Sequence, residues 1–225
     1  RTIEPMAPFF ESLANELIDN FQARGECEFM SEFAEPFSAR VITGLLGLEE
    51  ELWPKVADLA TKLGYVFSVT IKEDLPMIEE GLLGILELAK DLIDGREGSD
   101  RDDFVGTLIK ADFDGQKITE EELLSLISLL IFAGFDTTRN QIGLGMQTFS
   151  NHPDQWELLG KTPDLARAAV EEVMRVNPTI TWVSREASVD VEYKELTIKQ
   201  GTTIHLLTIP AGSDPRKFEN IGFDI

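Results

Sequence analysis

The stretch that decides the fold is Ala133-Gly134-Phe135-Asp136-Thr137-Thr138, which follows the run Leu-Leu-Ser-Leu-Ile-Ser-Leu-Leu-Ile-Phe at 123–132. That run is apolar around most of a helical circumference, so the pattern predicts a long, largely buried helix. A carboxylate in such surroundings is costly unless it is paired, hydrogen-bonded or used in chemistry. An alternative stays open here, in which one helix ends near Gly134 and Asp136 caps the next.

The neighbours of Asp136 add two local features. Gly134 removes a side chain near the acid and leaves room for a group to approach the backbone. Thr137 can hydrogen-bond back to a carbonyl and loosen the helix there. Both features are compatible with a site built into the helix.

A further constellation lies in the predicted helix 164–176. It contains Glu171-Glu172-Val173-Met174-Arg175, in which Glu172 and Arg175 have the i, i+3 spacing of side chains that share a helical face. A solvated pair of this kind contributes little, whereas breaking a buried pair costs roughly 3–5 kcal/mol. Glu-x-x-Arg alone is a weak signal, but its combination with the 133–138 stretch, Pro178 and Arg185 is a strong one.

Together these motifs resemble those of the haem-thiolate monooxygenases, the cytochrome P450 family, of the soluble bacterial type. The resemblance runs through nearly the whole chain. Residues 32–47 are similar to the segment leading into the family's E helix, and 119–125 to the opening of its long I helix. Residues 151–155 resemble the start of its J helix, and 213–218 with Phe223-Asp224 resemble the stretch before its haem loop.

The resemblance implies a mainly α fold with a small β-rich subdomain. We expect residues 1–225 to form a single domain fragment. Its helical part would cover 1–178, with the long helix at about 120–149, and its β-containing part would cover 179–225.

Hydrophobic periodicity independently predicts helices along most of the chain. They are expected at 3–24, 35–46, 52–69, 77–93, a short segment ending at Lys110, and 120–149 and 164–176 as above. The polar residues 72–74 and Pro76 predict a break before 77, and the charged segment 95–103 predicts an exposed linker. Strand patterning appears only late, at 181–191, 196–198 and 202–207, with Gly201 as a turn residue.

The resemblance implies haem b as the cofactor and gives residues of the long helix specific roles. Asp136 would relay protons and Thr137 would be the donor on the oxygen side, which suits general acid–base work in a buried site. Ala133 and Gly134 would keep the helix low over the porphyrin. Thr138 would be a back-bonding helix residue.

The resemblance also gives roles to residues nearer the C-terminus. Glu172 and Arg175 would form a structural ion pair beneath the haem. Arg185 would bind a haem propionate, with an ordinary strand-edge arginine as the alternative. Ile180 and Val183 would line the substrate pocket. The histidines of the sequence are expected to be structural rather than iron ligands: His152 at a helix start and His205 in a strand.

The implied activity is the insertion of one oxygen atom from O2 into a small organic substrate. Electrons would come from a separate ferredoxin- or flavodoxin-like donor, because the sequence carries no flavin or nicotinamide motif. Two alternatives stay open: a haem-free helical binding or interaction module that survives as a non-catalytic remnant, and a calcium-responsive helical protein.

The axial iron ligand is expected outside this chain. In the family, a cysteine thiolate in a glycine-rich loop holds the iron, downstream of the segment at which this sequence stops. The only cysteine, Cys27, stands between Glu26 and Glu28, which would oppose a thiolate rather than stabilise it. We therefore expect no metal ligand in this chain, and an internal fragment that also lacks the first helices and is inactive alone.

Residues 112–122 resemble a calcium loop in having acids, a glycine and a later glutamate. If Gly115 is the sixth position, Lys110 falls on the first ligand position, where a cation is unsuitable. We interpret Asp114-Gly115 as a turn. Thr119 and Glu122 are interpreted as a capping box for the long helix.

The composition indicates an acidic globular protein. Its 41 acidic against 20 basic residues, a net charge of −21, argue against nucleic acid and against anionic membrane surfaces. No apolar run reaches the ~20 residues of a membrane span. One cysteine excludes an internal disulfide and suits a reducing cytosol, so a soluble, cytoplasmic protein is expected.

Overall fold

The structure, a computed structural model, describes residues 3–96, 98, 103–113 and 116–225. The chain divides into two compact units, Arg1–Arg139 and Asn140–Ile225, referred to as the N-unit and the C-unit. The change from a helical part to a β-containing part near Pro178 stays a prediction, and the two compact units divide at another place, inside the long helix.

The N-unit is built from helices that begin where the sequence offers proline or acidic residues. They are α1 (Ala7–Gln22), α2 (Glu35–Leu46), α3 (Trp53–Gly64), α4 (Ile71–Asp94), α5 (Phe104–Lys110) and the first part of α6 (Glu120–Asn151). A turn of π-helix, Met30–Ala34, leads directly into α2. Gly47 ends α2 in the left-handed region at φ 67°, as favoured for a glycine at a helix C-terminus.

The core of the N-unit lies where α2, α3, α4 and α6 pack together. Its fully buried side chains include Leu46, Val56, Ile85, Ile131 and Phe135. These residues recur at helical spacing, so each helix turns one apolar face inward. The periodicity used to predict the helices reflects these buried faces.

The break predicted before residue 77 is wrong in position. A 3₁₀ turn covers Tyr65–Phe67, and α4 already begins at Ile71, so it contains 72–74 and Pro76. The backbone amides of Glu73 and Asp74 donate to the carbonyl of Thr70 at 2.9 and 3.1 Å. Acidic side chains are favourable in a first helical turn, so these polar residues start a helix rather than interrupt one.

The expectation of an exposed linker at 95–103 is wrong for Arg96, which is 8% exposed. Its guanidinium donates to Asp103 Oδ2 at 3.1 Å and to the carbonyl of Gly47. Asp103 also accepts from the amide of Gly106 at 2.8 Å and thereby caps α5. Residues 97 and 99–102 of the same segment lie outside the described residues.

Strand structure appears earlier than we expected. A short antiparallel hairpin joins β1 (Asp112–Phe113) to β2 (Gln116–Lys117) ahead of α6, with Asp112 opposite Lys117. The turn expected at Asp114-Gly115 lies outside the described residues. The capping box is confirmed: the amide of Thr119 donates to Glu122 Oε2 at 2.9 Å, and the amide of Glu122 donates to Thr119 Oγ1 at 3.2 Å.

The C-unit combines the end of α6 with helices and two hairpins. They are α7 (Pro153–Lys161), α8 (Ala166–Val176), β3 (Trp182–Glu186), β4 (Val191–Tyr193), β5 (Leu196–Ile198), β6 (Thr203–Leu207) and α9 (Thr208–Gly212). β3 pairs antiparallel with β6, placing Arg185 opposite Ile204, and β4 pairs with β5. The continuous strand expected at 181–191 is therefore wrong, because residues 187–190 separate β3 from β4.

The core of the C-unit is small and aromatic. Phe149, Ala169, Val173 and Phe223 are buried together, and Phe149 makes edge contacts with Trp156 and Phe223 at centroid distances of 5.1 and 5.2 Å. Gly201 adopts φ 82° in the turn before β6, as predicted.

Candidate functional site

The middle of α6 has one buried side and one open side. The helix is continuous from Glu120 to Asn151, so the alternative of an end near Gly134 is wrong. Ile127, Ile131 and Phe135 are fully buried, whereas Leu129 is 59% exposed and Ala133 is also exposed. At 3.6 residues per turn, Leu129 and Ala133 lie opposite the buried residues, with Asp136 and Thr137 on either flank.

The missing side chain of Gly134 is explained by packing within the N-unit. A Cβ atom at this position would lie 2.8 Å from Ile42 Cδ1, closer than such atoms approach. The glycine therefore lets α2 and α6 pack closely. Its expected place beside the cofactor stays a prediction, because the contact observed for Gly134 is with the protein core.

Asp136 is anchored by an arginine one helical turn later. Its Oδ1 accepts from Arg139 Nη2 at 2.8 Å, and the side chains are 20% and 17% exposed. A partly buried carboxylate with a cationic partner avoids the cost of an isolated buried charge. The pairing has the same i, i+3 spacing as Glu172 and Arg175, which is the signal by which Arg139 could have been found in the sequence.

Arg139 also reaches two groups on neighbouring helices. Its Nη1 donates to Thr61 Oγ1 of α3 at 3.2 Å and lies 3.4 Å from Glu35 Oε2 of α2. The guanidinium carbon lies 5.0 Å from the centre of the Phe135 ring, a cation–π contact. One cation therefore connects the acid of α6 with a second acid nearer the surface.

Thr137 forms the back-bond that we had considered for it. Its Oγ1 donates to the carbonyl of Ala133 at 2.6 Å. A hydroxyl has one proton and two lone pairs, so the oxygen keeps accepting capacity in this rotamer. Its expected role as a donor to an oxygen species stays a prediction, and it requires the hydroxyl to leave Ala133.

Glu172 and Arg175 form the expected ion pair on α8. Arg175 Nε and Nη2 donate to the two carboxylate oxygens at 2.7 and 2.6 Å, a bidentate geometry. This hydrogen bonding lowers the pKa of Glu172 below its ordinary value, and the carboxylate raises the pKa of Arg175. The side chains are only 17% and 12% exposed, so the pair is largely buried.

The same pair holds the C-terminal segment against α8. Arg175 donates to the carbonyls of Gly212 and Gly222, each at 2.6 Å, and its guanidinium lies 5.0 Å from the Phe218 ring centre. The amide of Asp224 donates to Glu172 Oε1 at 3.1 Å. The ion pair therefore organises the segment 208–224 as well as its own helix.

Arg185 lies on β3 with its side chain exposed. Its Nη1 donates to the neighbouring carbonyl of Ser184 at 2.8 Å. Within the described part of the chain, no carboxylate forms an ion pair with it. The guanidinium is accordingly accessible to an external anion.

Ile180 and Val183 lie at the start of the same strand region. Ile180 is exposed and its carbonyl accepts from Thr208 Oγ1 at 2.5 Å, and Val183 is partly buried and pairs with Leu206. The structure places both close to Arg185 along the chain. Their role in a substrate pocket stays a prediction.

Gln141 and Asn177 hold the segment between α8 and β3 in place, and neither was predicted from the sequence. Gln141 Nε2 donates to the carbonyl of Asn177 at 3.1 Å, and its Oε1 accepts from the amide of Thr179 at 2.9 Å. Asn177 Nδ2 donates to Thr148 Oγ1 at 3.2 Å. No pattern in a single sequence marks an amide side chain that bonds backbone groups far along the chain.

The possible metal-binding side chains have other surroundings. Cys27 lies in a cavity of about 310 Å³ lined by Arg24, Glu26, Glu28 and Glu32. His152 starts α7 and lies 2.9 Å from the carbonyl of Thr148, while His205 of β6 lies 2.9 Å from Ser184 Oγ. Among the described residues, no group of three or more His, Cys, Asp or Glu side chains could hold a metal ion.

Comparison with known proteins identifies the class. The profile of the cytochrome P450 family matches residues 68–220. Luteothin monooxygenase of Streptomyces thioluteus is 32% identical over 228 residues, covering 100% of this chain and 56% of the relative. The biotin biosynthesis cytochrome P450 of Bacillus subtilis (strain 168) is 32% identical over 222 residues, covering 98% and 56%.

Comparison with solved structures gives the same family. The structure of P450BioI in complex with a hexadec-9Z-enoic acid ligated acyl carrier protein matches with a TM-score of 0.89 at 31% identity, covering 98% of this chain and 57% of that chain. The chain therefore belongs to the cytochrome P450 family, and the mainly α fold with a small β-containing part is confirmed. It spans a little over half the length of these relatives.

The family implies haem b, and α6 offers a surface that fits it. The exposed strip formed by Leu129 and Ala133 is apolar, as the face of a porphyrin requires, and Thr137 and Asp136 border it. Cys27, with an arginine and three glutamates around it, does not fit the axial ligand. In the part of the chain that the structure describes, no helix has the length and apolar composition needed to cross a bilayer.

Proposed function

We propose that this sequence belongs to a haem-dependent monooxygenase that inserts one oxygen atom from O2 into a small organic substrate. The observation that carries the proposal is the mid-helix arrangement of α6: an open apolar strip with an acid on one flank and a hydroxyl on the other. Membership of the cytochrome P450 family supports the same activity.

The haem would supply the activation of dioxygen, and the residues of α6 would control protons beside it. Ala133 would let the cofactor lie close to the helix. Thr137 Oγ1, with its proton on the carbonyl of Ala133, would accept a hydrogen bond from a water molecule and hold it in place. It would become the donor on the oxygen side when its hydroxyl leaves that carbonyl. Asp136 would pass protons to that water, because a positioned carboxyl group can act as a general acid and base.

Two other groups would have supporting roles. Arg185 would bind a propionate of the haem, for which a planar guanidinium offers paired donors. Glu172 and Arg175 would stabilise the segment 208–224 through the contacts described above. Ile180 and Val183 would contact the substrate.

Membership of the family supports a separate electron donor and an organic substrate. We propose a separate ferredoxin- or flavodoxin-like donor and a cytoplasmic location. Apolar residues such as Ile180 indicate an organic substrate with apolar surface, since desolvation of such surface favours binding.

Isotope labelling tests this proposal. In the whole protein that carries this sequence, turnover under ¹⁸O2 with a reconstituted donor should give a product with one labelled oxygen atom. Label from H2¹⁸O instead, or turnover without O2, would contradict a monooxygenase.

A further inference from the structure

A cavity of about 310 Å³ lies in the N-unit, at the start of α2 and along one face of α3. Its volume is at the lower end of the range of about 300–1,000 Å³ found for small-molecule pockets. One residue of α2 and five residues of α3 line it: Glu35, Trp53, Pro54, Ala57, Asp58 and Thr61. None of these residues belongs to α6 or to α8, which carry the proposed chemistry and the structural ion pair. The cavity is therefore a second candidate site with its own set of residues.

The residues of α3 that line the cavity share one helical face. Trp53, Ala57 and Thr61 follow one another at i, i+4 and i+8, and Pro54 and Asp58 form the neighbouring row with the same spacing. Ala57 is the middle residue of the first row, and its small side chain leaves space between the indole of Trp53 and the hydroxyl of Thr61. The face therefore combines an aromatic and apolar end with a polar end.

Both charged groups in the lining are carboxylates. The side chain of Glu35 is 38% exposed and that of Asp58 is 58% exposed. In the part of the chain that the structure describes, no lysine or arginine lines the cavity. The lining therefore disfavours an anion, and the net charge of −21 adds a potential that attracts cations to the protein.

Each carboxylate has a cationic neighbour but keeps acceptor capacity. Arg139 Nη1 lies 3.4 Å from Glu35 Oε2, and Lys62 Nζ lies 2.8 Å from Asp58 Oδ2. Each contact uses one oxygen atom, whereas a carboxylate offers about four acceptor sites on its two oxygens. Thr61 Oγ1 accepts from Arg139 Nη1 at 3.2 Å and keeps a second lone pair. The polar end of the cavity can therefore accept further hydrogen bonds from a ligand.

We propose that this cavity binds a small organic ammonium ion: a protonated primary amine with a short apolar chain. The ammonium group donates to Glu35 and Asp58, and the chain lies against Trp53 and Pro54. An indole ring attracts a cation through its quadrupole, and removal of the apolar chain from water favours binding further. The proposal goes beyond the monooxygenase function and does not depend on it.

Two other classes of ligand fit the lining less well. A bare calcium or magnesium ion needs about six oxygen ligands, and no group of three or more His, Cys, Asp or Glu side chains among the described residues could hold a metal ion. A neutral apolar molecule would cover the two carboxylates without giving them a partner, which is costly. An organic ammonium ion matches both the acidic and the apolar walls.

Titration calorimetry of the whole protein with n-butylammonium chloride tests the proposal. We expect saturable binding of one equivalent, with a Kd on the order of 1 mM. The neutral analogue 1-butanol should bind about tenfold more weakly, because it lacks the charge-assisted hydrogen bonds. Potassium chloride at matched ionic strength should not displace the amine. Absence of saturable binding, equal binding of 1-butanol, or displacement by potassium would each overturn the proposal.

Substitutions in the lining place the binding in this cavity. Glu35→Gln should raise the Kd of butylammonium about tenfold, because it removes a charged acceptor. Trp53→Leu keeps an apolar side chain but removes the aromatic ring, and it should raise the Kd about threefold. Asp58→Asn should also weaken binding, while Lys62 keeps its contact with Glu80 at 2.6 Å. Unchanged affinity in both Glu35→Gln and Asp58→Asn would contradict the assignment.

A matched control lies in the same unit. Glu16 accepts from Arg40 Nη1 at 2.7 Å, and it does not line the cavity. Glu16→Gln removes the same charge and also an acid–arginine contact, so its affinity for butylammonium should equal that of wild type. If Glu16→Gln weakens binding as much as Glu35→Gln, the amine responds to the overall charge of the protein and the proposed site is refuted.

The result is independent of turnover. Chemical denaturation of each variant shows whether it is folded, and Trp53→Phe, which keeps a smaller ring, replaces Trp53→Leu if the latter does not fold. An active monooxygenase that binds no butylammonium would refute this proposal alone. A protein that binds the amine in the cavity but has no monooxygenase activity would refute the proposed function alone.

Discussion

At the scale of single residues, Asp136 shows how an acid is kept inside an apolar helix. The run 123–132 gives α6 a buried face, and Asp136 stands at the edge of that face with 20% of its side chain exposed. Arg139, Thr61 and Glu35 supply the polar surroundings that an isolated carboxylate would lack. Asp136 is easily recognised in the sequence because it interrupts an apolar run. Two of its three polar neighbours, Thr61 and Glu35, belong to other helices.

Thr137→Ala should uncouple oxygen consumption from product formation. Loss of the hydroxyl removes the group that would hold the proton-donating water, and general acid–base contributions are typically about 10²-fold or more. Product formed per O2 consumed should fall and peroxide release should rise, measured with an oxygen electrode and a peroxide assay in the haem-loaded protein. Thr137→Ser, which keeps the hydroxyl, should stay coupled, and coupled turnover by Thr137→Ala would remove Thr137 from the proton path.

Gly134→Ala should destabilise the protein despite the higher helix propensity of alanine. The gain in propensity is about 1 kcal/mol, but the new Cβ would lie 2.8 Å from Ile42 Cδ1, and overpacking a core costs about 1–3 kcal/mol. Chemical denaturation measures the difference. Ile42→Val removes the clashing methyl group, so the double variant should be less destabilised than the sum of the single variants. A more stable Gly134→Ala would show that α2 gives way freely.

At the scale of elements, α8 is tied to the segment that follows the strands. Arg175 donates to the carbonyls of Gly212 and Gly222, and Glu172 accepts from the amide of Asp224. These contacts join stretches of chain that are distant in sequence. The Glu172–Arg175 pair therefore connects α8 to the C-terminal segment, and its loss should destabilise both.

Glu172→Ala should destabilise the protein and prevent haem incorporation. Removing one partner of a largely buried pair strands the other, at a cost of about 3 kcal/mol or more. Denaturation curves and haem absorbance per protein measure the two effects. Glu171→Ala, an exposed neighbour on the same helix, is the matched control and should change neither. A fully haem-loaded and stable Glu172→Ala would refute the structural role.

The same pair predicts a pH dependence of stability. Because Arg175 lowers the pKa of Glu172 in the folded state, its contribution is complete above the ordinary value of 4.5 and is lost as pH falls through the lowered pKa. Wild type should therefore lose more unfolding free energy than Glu172→Gln as the pH is lowered from 5 towards 3. Parallel curves for the two proteins would contradict the assignment.

The helices were predictable because a helix with one buried face needs apolar residues at helical spacing, and this spacing is visible in the local sequence. α2, α6 and α8 were expected close to their observed bounds, and the capping box at Thr119 marked the start of α6. The errors fell where local signals compete. Pro76 and the acids near it predicted a break, but they lie in the first turns of α4. Arg96 was predicted to be exposed because its neighbours in sequence are charged, but it is buried.

The candidate site was predictable only in part. Residues of the motif on α6 and the pair on α8 were found because helical spacing places them. The partners Glu35 and Thr61, and the backbone contacts of Gln141, depend on how helices and loops pack, which spacing does not encode. Gly134 was expected to make room near the acid, and the room is filled by Ile42.

At the scale of the whole molecule, the two units each expose large apolar side chains. In the N-unit, Phe67 and Val69 are exposed in and after the turn that follows α3, and in the C-unit Trp182 and Leu206 are exposed on β3 and β6. The chain spans a little over half the length of its relatives. The activity proposed here is therefore a property to be measured on the whole protein that carries this sequence.

The most direct test of the central claim is an absorbance difference spectrum of that whole protein, reduced with carbon monoxide against reduced. A haem monooxygenase of the cytochrome P450 family should show the red-shifted band of a thiolate-ligated haem. Absence of the band in protein that retains no haem would contradict the claim and leave a haem-free helical module.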